Sequence, residues 1–221
     1  ALCSAPVQTT AALRRKLDVK LFSTLHHEVK NKTLRAKLRR ANKGLLITMP
    51  VASFHFTESV YKLGVKLTYA LQKESAQVLL VTSVAENEGK STVCANIALT
   101  LAQRNKKVLL IDADLHKAAQ YKLFGRKPER ELADLLEGKI PYEPLYALFP
   151  TRSNSRAAEL IPSENMAALL RQARAEMDYI IIDSPPIALF SDVEALADQA
   201  DASLLVVRQD GVPAGRVNDA A

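Results

Sequence analysis

Four short apolar runs punctuate the chain: QVLLVTSV (77–84), KVLLIDAD (107–114), YIIID (179–183) and SLLVV (203–207). Each is apolar on successive positions, which predicts strands covered on both faces, as parallel strands between helices are. LYALF (145–149) is a weaker fifth candidate. Between these runs the period changes. GKSTVCANIALTLAQRN (89–105) places Val93, Cys94, Ile97, Ala98 and Leu101 on one helical face. SENMAALLRQARAEM (163–177) and SDVEALADQA (191–200) predict two more helices, each opened by a serine suited to N-capping. Upstream, FTESVYKLGVKLTYALQKE (56–74) is amphipathic but interrupted by Gly64. A glycine there costs a helix about 1 kcal/mol relative to alanine, so either the helix bends or something packs closely against it. Strand and helix in alternation predict an α/β fold with a mainly parallel central sheet flanked by helices. Only 14 residues follow position 207, so the C-terminal end reads as truncated, with no room for a further strand.

Composition changes this picture in two places. With 48% hydrophobic residues but only 5% aromatic ones and no Trp, an aliphatic core is expected. Cys3 and Cys94 have neither metal spacing nor a disulfide framework, and Cys94 reads as a small core residue. The adjacent His26 and His27 have no third ligand in view and read as a solvated pair. No apolar run reaches the roughly 20 residues of a membrane helix. The charge is the second place. Residues 1–50 hold 11 Lys/Arg against Asp18 and Glu28, whereas the remaining 171 residues hold 19 basic and 22 acidic side chains. MPVA (49–52) is the natural boundary, giving a basic segment 1–50 and an α/β domain 51–221. A basic arm of this kind suits an anionic surface, lipid headgroups or nucleic acid, or is a solvated linker.

Three motifs carry chemistry, each at the end of a predicted strand. SVAENEGKST (83–92) ends as a phosphate-binding loop does, between a strand and a helix. Backbone N–H groups there would face phosphates, Lys90 would supply a charge and Ser91 a hydroxyl for Mg²⁺. Glu88, Gly89, Lys90, Ser91 and Thr92 form the candidate cradle, with the side chains of Glu86 and Glu88 expected to point outward. Val84 stands where G-x-x-x-x-G-K-[ST] has its first glycine, which is tolerable if that position ends the strand rather than turning the chain. VLLIDADLHK places Asp112 and Asp114 two apart at the next strand end, where both could reach one metal or hydroxyl. YIIIDSPP ends in Asp183, which reads as a Mg²⁺-directed carboxylate. Any one aspartate could simply cap a turn. Three such motifs along one sheet edge argue for a working nucleotide site.

Together, SVAENEGKST, VLLIDADLHK and IIIDSPPI…SDVEALADQADASLLVV resemble the bacterial tyrosine kinases of capsule and exopolysaccharide synthesis, over about residues 56–221. The resemblance implies a P-loop NTPase fold with ATP and Mg²⁺ as cofactors and phosphoryl transfer to tyrosine. It implies that Lys90 and Ser91 hold ATP and Mg²⁺, that Asp112 is a metal ligand or the base for a tyrosine hydroxyl, and that Asp114 and Asp183 complete the acidic cluster. LRRKLDVKLFSTLHHEVKN is similar to the stretch after the second transmembrane helix of longer members, which makes the basic arm juxtamembrane. The implied location is the cytoplasmic side of a bacterial inner membrane. The implied partners are a membrane polysaccharide co-polymerase, an anionic lipid surface and further copies of the chain, with no nucleic acid.

Departures from the family pattern bear on activity. The last position of D-x-D-x-R is His116, and the assembly helix E-x-x-R-x-x-R reads Glu58, Tyr61, Gly64. The six tyrosines (61, 69, 121, 142, 146 and 179) are scattered rather than gathered in a tail. Two other readings stand beside the kinase: a non-catalytic ATP-binding partner of a membrane chain-length protein, and a ParA/MinD-like ATPase. The last group carries a signature lysine five residues before the loop lysine, where this chain has Ala85.

Overall fold

A computed structural model describes residues 18–26, 45–125, 127–128, 130–139, 146–209 and 211–220. Five parallel strands form one sheet in the order β3-β2-β4-β1-β5: β1 Val78–Ser83, β2 Val108–Asp112, β3 Ala147–Leu148, β4 Tyr179–Asp183 and β5 Ala202–Val206. All five sequence-predicted strands are present, although the weak fifth keeps only two paired residues at the sheet edge. β1, β2 and β4 are buried along their whole lengths.

Their alternating side chains build two cores. Val78, Leu80, Leu109, Ile111, Ile180 and Ile182 face one layer of helices: α4 (Leu132–Leu136), α5 (Ala157–Leu160), α6 (Glu164–Glu176) and α7 (Asp192–Ala197). Leu79, Val81, Val108, Leu110 and Ile181 face α1 (Phe54–Lys73) and α2 (Lys90–Ala102) on the other side. The apolar runs therefore follow from two covered faces, with side chains alternating between them. Ser53 caps α1 and Ser163 caps α6, each accepting a backbone N–H of the first turn.

Gly64 is explained by packing. An alanine Cβ there would lie 2.5 Å from Thr100 Cγ2, so the glycine lets α1 approach α2 closely. The helix runs unbroken through it. Tyr61 lies on the outward side and donates a hydrogen bond to Gln103.

The expected boundary near residue 50 cuts through a packed segment. Leu45 and Leu46 are buried, Leu45 against Phe56 and Val60, Leu46 against Ala95 and Leu123. Asn96 of α2 donates to the Leu45 carbonyl and accepts the Ile47 N–H. Residues 45–47 thus pack on the α/β unit, as Phe22 and Leu25 do on its core. Apart from 18–26, the basic segment 14–43 lies outside the described residues. The last described helix is α8 (Ala214–Asn218).

Candidate active site

The loop between β1 and α2 takes a left-handed backbone at two residues. Asn87 and Gly89 have positive φ (64° and 95°), while Val84 does not and is buried against Val212 and Val217. Val84 directly follows the strand with no positive φ, so a side chain is tolerated where the motif usually has its first glycine. At Gly89 an added Cβ would meet nothing within 4 Å, so it is the left-handed backbone and not space that favours glycine. Gly89 directly precedes α2, whose first-turn N–H groups have no partner inside the helix.

One expectation for this loop is corrected. Glu86 is exposed and pairs with Lys117 at 2.6 Å, as an outward side chain would. Glu88 instead folds inward, 9% exposed, and accepts the N–H groups of Ala85 at 2.8 Å and Arg208 at 3.3 Å. Donors inside the tight turn hold its carboxylate better than solvent-facing geometry would. Glu88 thereby ties the loop to the segment after β5.

Lys90 is 6% exposed and lies among carboxylates. Its Nζ is 2.5 Å from Asp183 Oδ1, 3.6 Å from Asp114 Oδ2 and 3.5 Å from Ser91 Oγ. Burial alone would lower the Lys90 pKa, but the charges of Asp183 and Asp114 outweigh it and hold the ammonium well above its ordinary value. Lys90 is therefore favoured in its charged form. Asp183 Oδ2 accepts a second bond, 2.7 Å from the Gln120 amide, whose Nε2 also donates to the Ser91 carbonyl at 2.9 Å.

Asp112 is fully buried and pairs in register with Asp183 across β2 and β4. Its oxygens accept the N–H groups of Asp114 (3.2 Å), Ala119 (2.9 Å) and Gln120 (2.9 Å), anchoring the loop 113–119. Burial, and then the neighbouring Asp183 charge, push its carboxyl pKa up, against these N–H bonds and Lys90. Asp114 lies in that loop and also accepts the Lys117 N–H. Ser91 and Thr92 are half-buried, and the Thr92 carbonyl accepts from Asn96 at 2.7 Å. The structure thus brings Lys90, Ser91, Asp112, Asp114 and Asp183 to one sheet edge, with Gly89 and Thr92 beside them.

The roles of three residues escape sequence reading. Gln120 opens a five-residue helix, α3 (Gln120–Phe124), too short to show a period. Asn96 interrupts the apolar face of α2, and a polar residue at a core position is a usable signal. His116, the departure from the arginine pattern, meets Asp192 Oδ2 at 3.0 Å and stacks on Phe190 with 3.8 Å between centroids. It clamps the loop after β2 to the segment after β4.

Residues 79–207 match the CobQ/CobB/MinD/ParA nucleotide binding domain family. Tyrosine-protein kinase YwqD of Bacillus subtilis is 33% identical over 160 residues, covering 68% of this chain and 68% of that protein. The chain belongs to the bacterial tyrosine kinase family. Tyrosine-protein kinase wzc of Salmonella typhimurium is 31% identical over 160 residues, 68% of this chain but 22% of that protein. The chain thus spans about a fifth of the length of the first curated relatives it matches. In fold, the kinase domain of Escherichia coli tyrosine kinase ETK superimposes with a TM-score of 0.80 at 24% identity, over 97% of this chain and 87% of that one. The P-loop α/β architecture expected of the bacterial tyrosine kinases is therefore the one observed.

Proposed function

We propose that this chain is the kinase domain of a protein-tyrosine kinase that regulates capsular or exopolysaccharide synthesis and export. The observation that carries this reading is the convergence of Lys90, Asp114 and Asp183 within 3.6 Å of the lysine, at the start of α2 and beside Asp112. The donor set fits a magnesium nucleotide. Ser91 and the carboxylates offer only oxygen to a cation, and Gln120 Oε1 is buried with no partner among the described residues. Among those residues no three His, Cys, Asp or Glu side chains form a metal cage. Mg²⁺ needs none, because it is commonly held by one or two carboxylates together with substrate phosphates.

Bound MgATP would supply the transferable phosphoryl group. The rest is positioning and charge neutralisation by the protein, which is most of what phosphoryl transfer requires. Lys90 brings a fixed positive charge to the phosphate side. The first-turn N–H groups of α2 would face the same anion. Ser91 and Asp183 would hold the cation, and Glu88, Gly89 and Thr92 would line the cradle. Asp112 or Asp114 would accept the tyrosine hydroxyl proton at a carboxylate oxygen.

Incubating the chain with MgATP and a tyrosine peptide tests this. Transfer to the peptide is expected, with little autophosphorylation, because the assembly helix has Tyr61 and Gly64 in place of both arginines and Gly64 is packed against α2. Lys90→Met should lose nucleotide affinity in calorimetry, and Asp112→Ala should lose transfer. Equal MgATP binding by wild type and Lys90→Met would overturn the nucleotide site. Transfer that survives in both Asp112→Ala and Asp114→Ala would overturn the assigned bases. One observation favours a non-catalytic ATP-binding partner of a membrane chain-length protein: Asp112 is fully buried and already accepts three N–H groups. ATP binding without transfer to any tyrosine substrate would choose that reading. Hydrolysis stimulated by lipid or DNA would instead favour a ParA/MinD-like ATPase.

A further inference from the structure

We propose that Gln120 is a positioning residue that sets Asp183 and the first turn of α2 for divalent-cation binding. The inference rests on the nucleotide reading above and adds a residue to it.

Gln120 is fully buried, and its side chain makes two bonds, both as donor: Nε2 to Asp183 Oδ2 at 2.7 Å and to the Ser91 carbonyl at 2.9 Å. Both partners are acceptors only, so the amide cannot be flipped without placing its oxygen against them. Its backbone N–H goes to Asp112 Oδ2 at 2.9 Å. One neutral residue therefore donates to both carboxylates of the in-register pair Asp112 and Asp183, and to the turn that carries Ser91.

Two consequences follow. With Oδ2 taken by Gln120, Asp183 presents Oδ1 to the lysine side of the site, where it now meets Lys90. The carboxylate cannot turn about its axis without breaking the 2.7 Å bond, so its cation-facing oxygen is fixed. Tying the Ser91 carbonyl to the same amide fixes the backbone that carries the Ser91 hydroxyl relative to that oxygen. The amide also keeps an unspent acceptor, since Oε1 is buried without a partner among the described residues. Unpaired buried acceptors are unfavourable, and water in a cation's hydration shell is the class of donor that would satisfy this one. Residues that orient a metal ligand in this way are typically worth about 10- to 100-fold in metal affinity.

Gln120→Met keeps the length and volume of the side chain and removes both donors. ADP binding is measured by calorimetry, once with Mg²⁺ and once with EDTA. Gln120→Met should weaken binding about 10- to 100-fold in the Mg²⁺ arm and by less than about twofold in the EDTA arm. In an Asp183→Asn background the same substitution should add little, because its effect runs through Asp183. Equal losses in both arms would make Gln120 a scaffold for the loop and overturn the proposal. So would unchanged affinity in both arms. If Gln120→Met does not fold, Gln120→Asn keeps the amide but withdraws it, and the same selective loss is expected and the same outcomes overturn. Wild-type protein that binds no ADP in either arm would overturn the nucleotide reading itself, a failure distinct from a missing Gln120 effect.

Discussion

Gly64 shows how one residue can be read two ways in sequence and one way in space. Its missing side chain is filled by Thr100, whose Cγ2 would lie 2.5 Å from an alanine Cβ. Gly64→Ala should gain helix propensity yet lose stability by about 1–3 kcal/mol, as overpacking in a tight interface does. Urea unfolding checks this, and Thr100→Ser, which deletes the clashing methyl, should recover part of the loss in the double variant. A Gly64→Ala protein more stable than wild type would mean that α1 and α2 separate without cost. Lys90 was legible from its motif, but its resting partners were not. The sequence places it in a phosphate loop, whereas only the folded sheet sets it against Asp183 and Asp114.

Elements meet at Asp201. It accepts the N–H groups of Gln77 and Val78 at the start of β1, and one N–H from each terminal guanidinium nitrogen of Arg174 from α6 at 2.8 Å. The Arg174 hydrogen bonds, aided by those N–H groups, hold the Asp201 carboxyl down at about 2 from an ordinary 3.8. A depressed folded-state pKa contributes stability that is fully present above the unfolded value and lost as pH falls through the folded one. The contribution should therefore vanish between about pH 4 and pH 2. Because the pair is partly exposed, screening reduces it to about 1 kcal/mol. Asp201→Asn should lower stability at neutral pH and flatten this acid limb in thermal melts. An unchanged acid limb would assign it to other carboxylates.

Over the whole molecule, the segment before α1 is the part that sequence divided differently. Leu45, Leu46 and Ile47 read as the end of a basic linker, but Asn96 and the pockets beside Phe56 and Leu123 take them into the α/β unit. Among the described residues no helix is long and apolar enough to cross a membrane. The basic residues between 14 and 43 should bind anionic vesicles weakly, at about 1 kcal/mol for each Lys or Arg near the surface. Co-sedimentation with phosphatidylserine vesicles should disappear near about 0.5 M salt, where screening shortens the range of the field. Binding that persists at that salt, or is stronger on DNA, would overturn the lipid assignment.

The sequence by itself determined the strands, the long helices and the three chemical motifs. Each is local: an apolar run such as YIIID needs cover on both faces wherever it sits, and Gly89-Lys90-Ser91 needs only a strand before it and a helix after it. Only the tertiary structure decided which groups those motifs hold. Asp112 and Asp183 are 71 residues apart in the chain yet in register across adjacent strands, and Gln120 reaches both. Glu88 turned inward because Ala85 and Arg208 offered it buried N–H groups, the second from a segment 120 residues away. A side chain's partner is set by strand order and loop course, and neither leaves a period or a spacing that a single sequence displays.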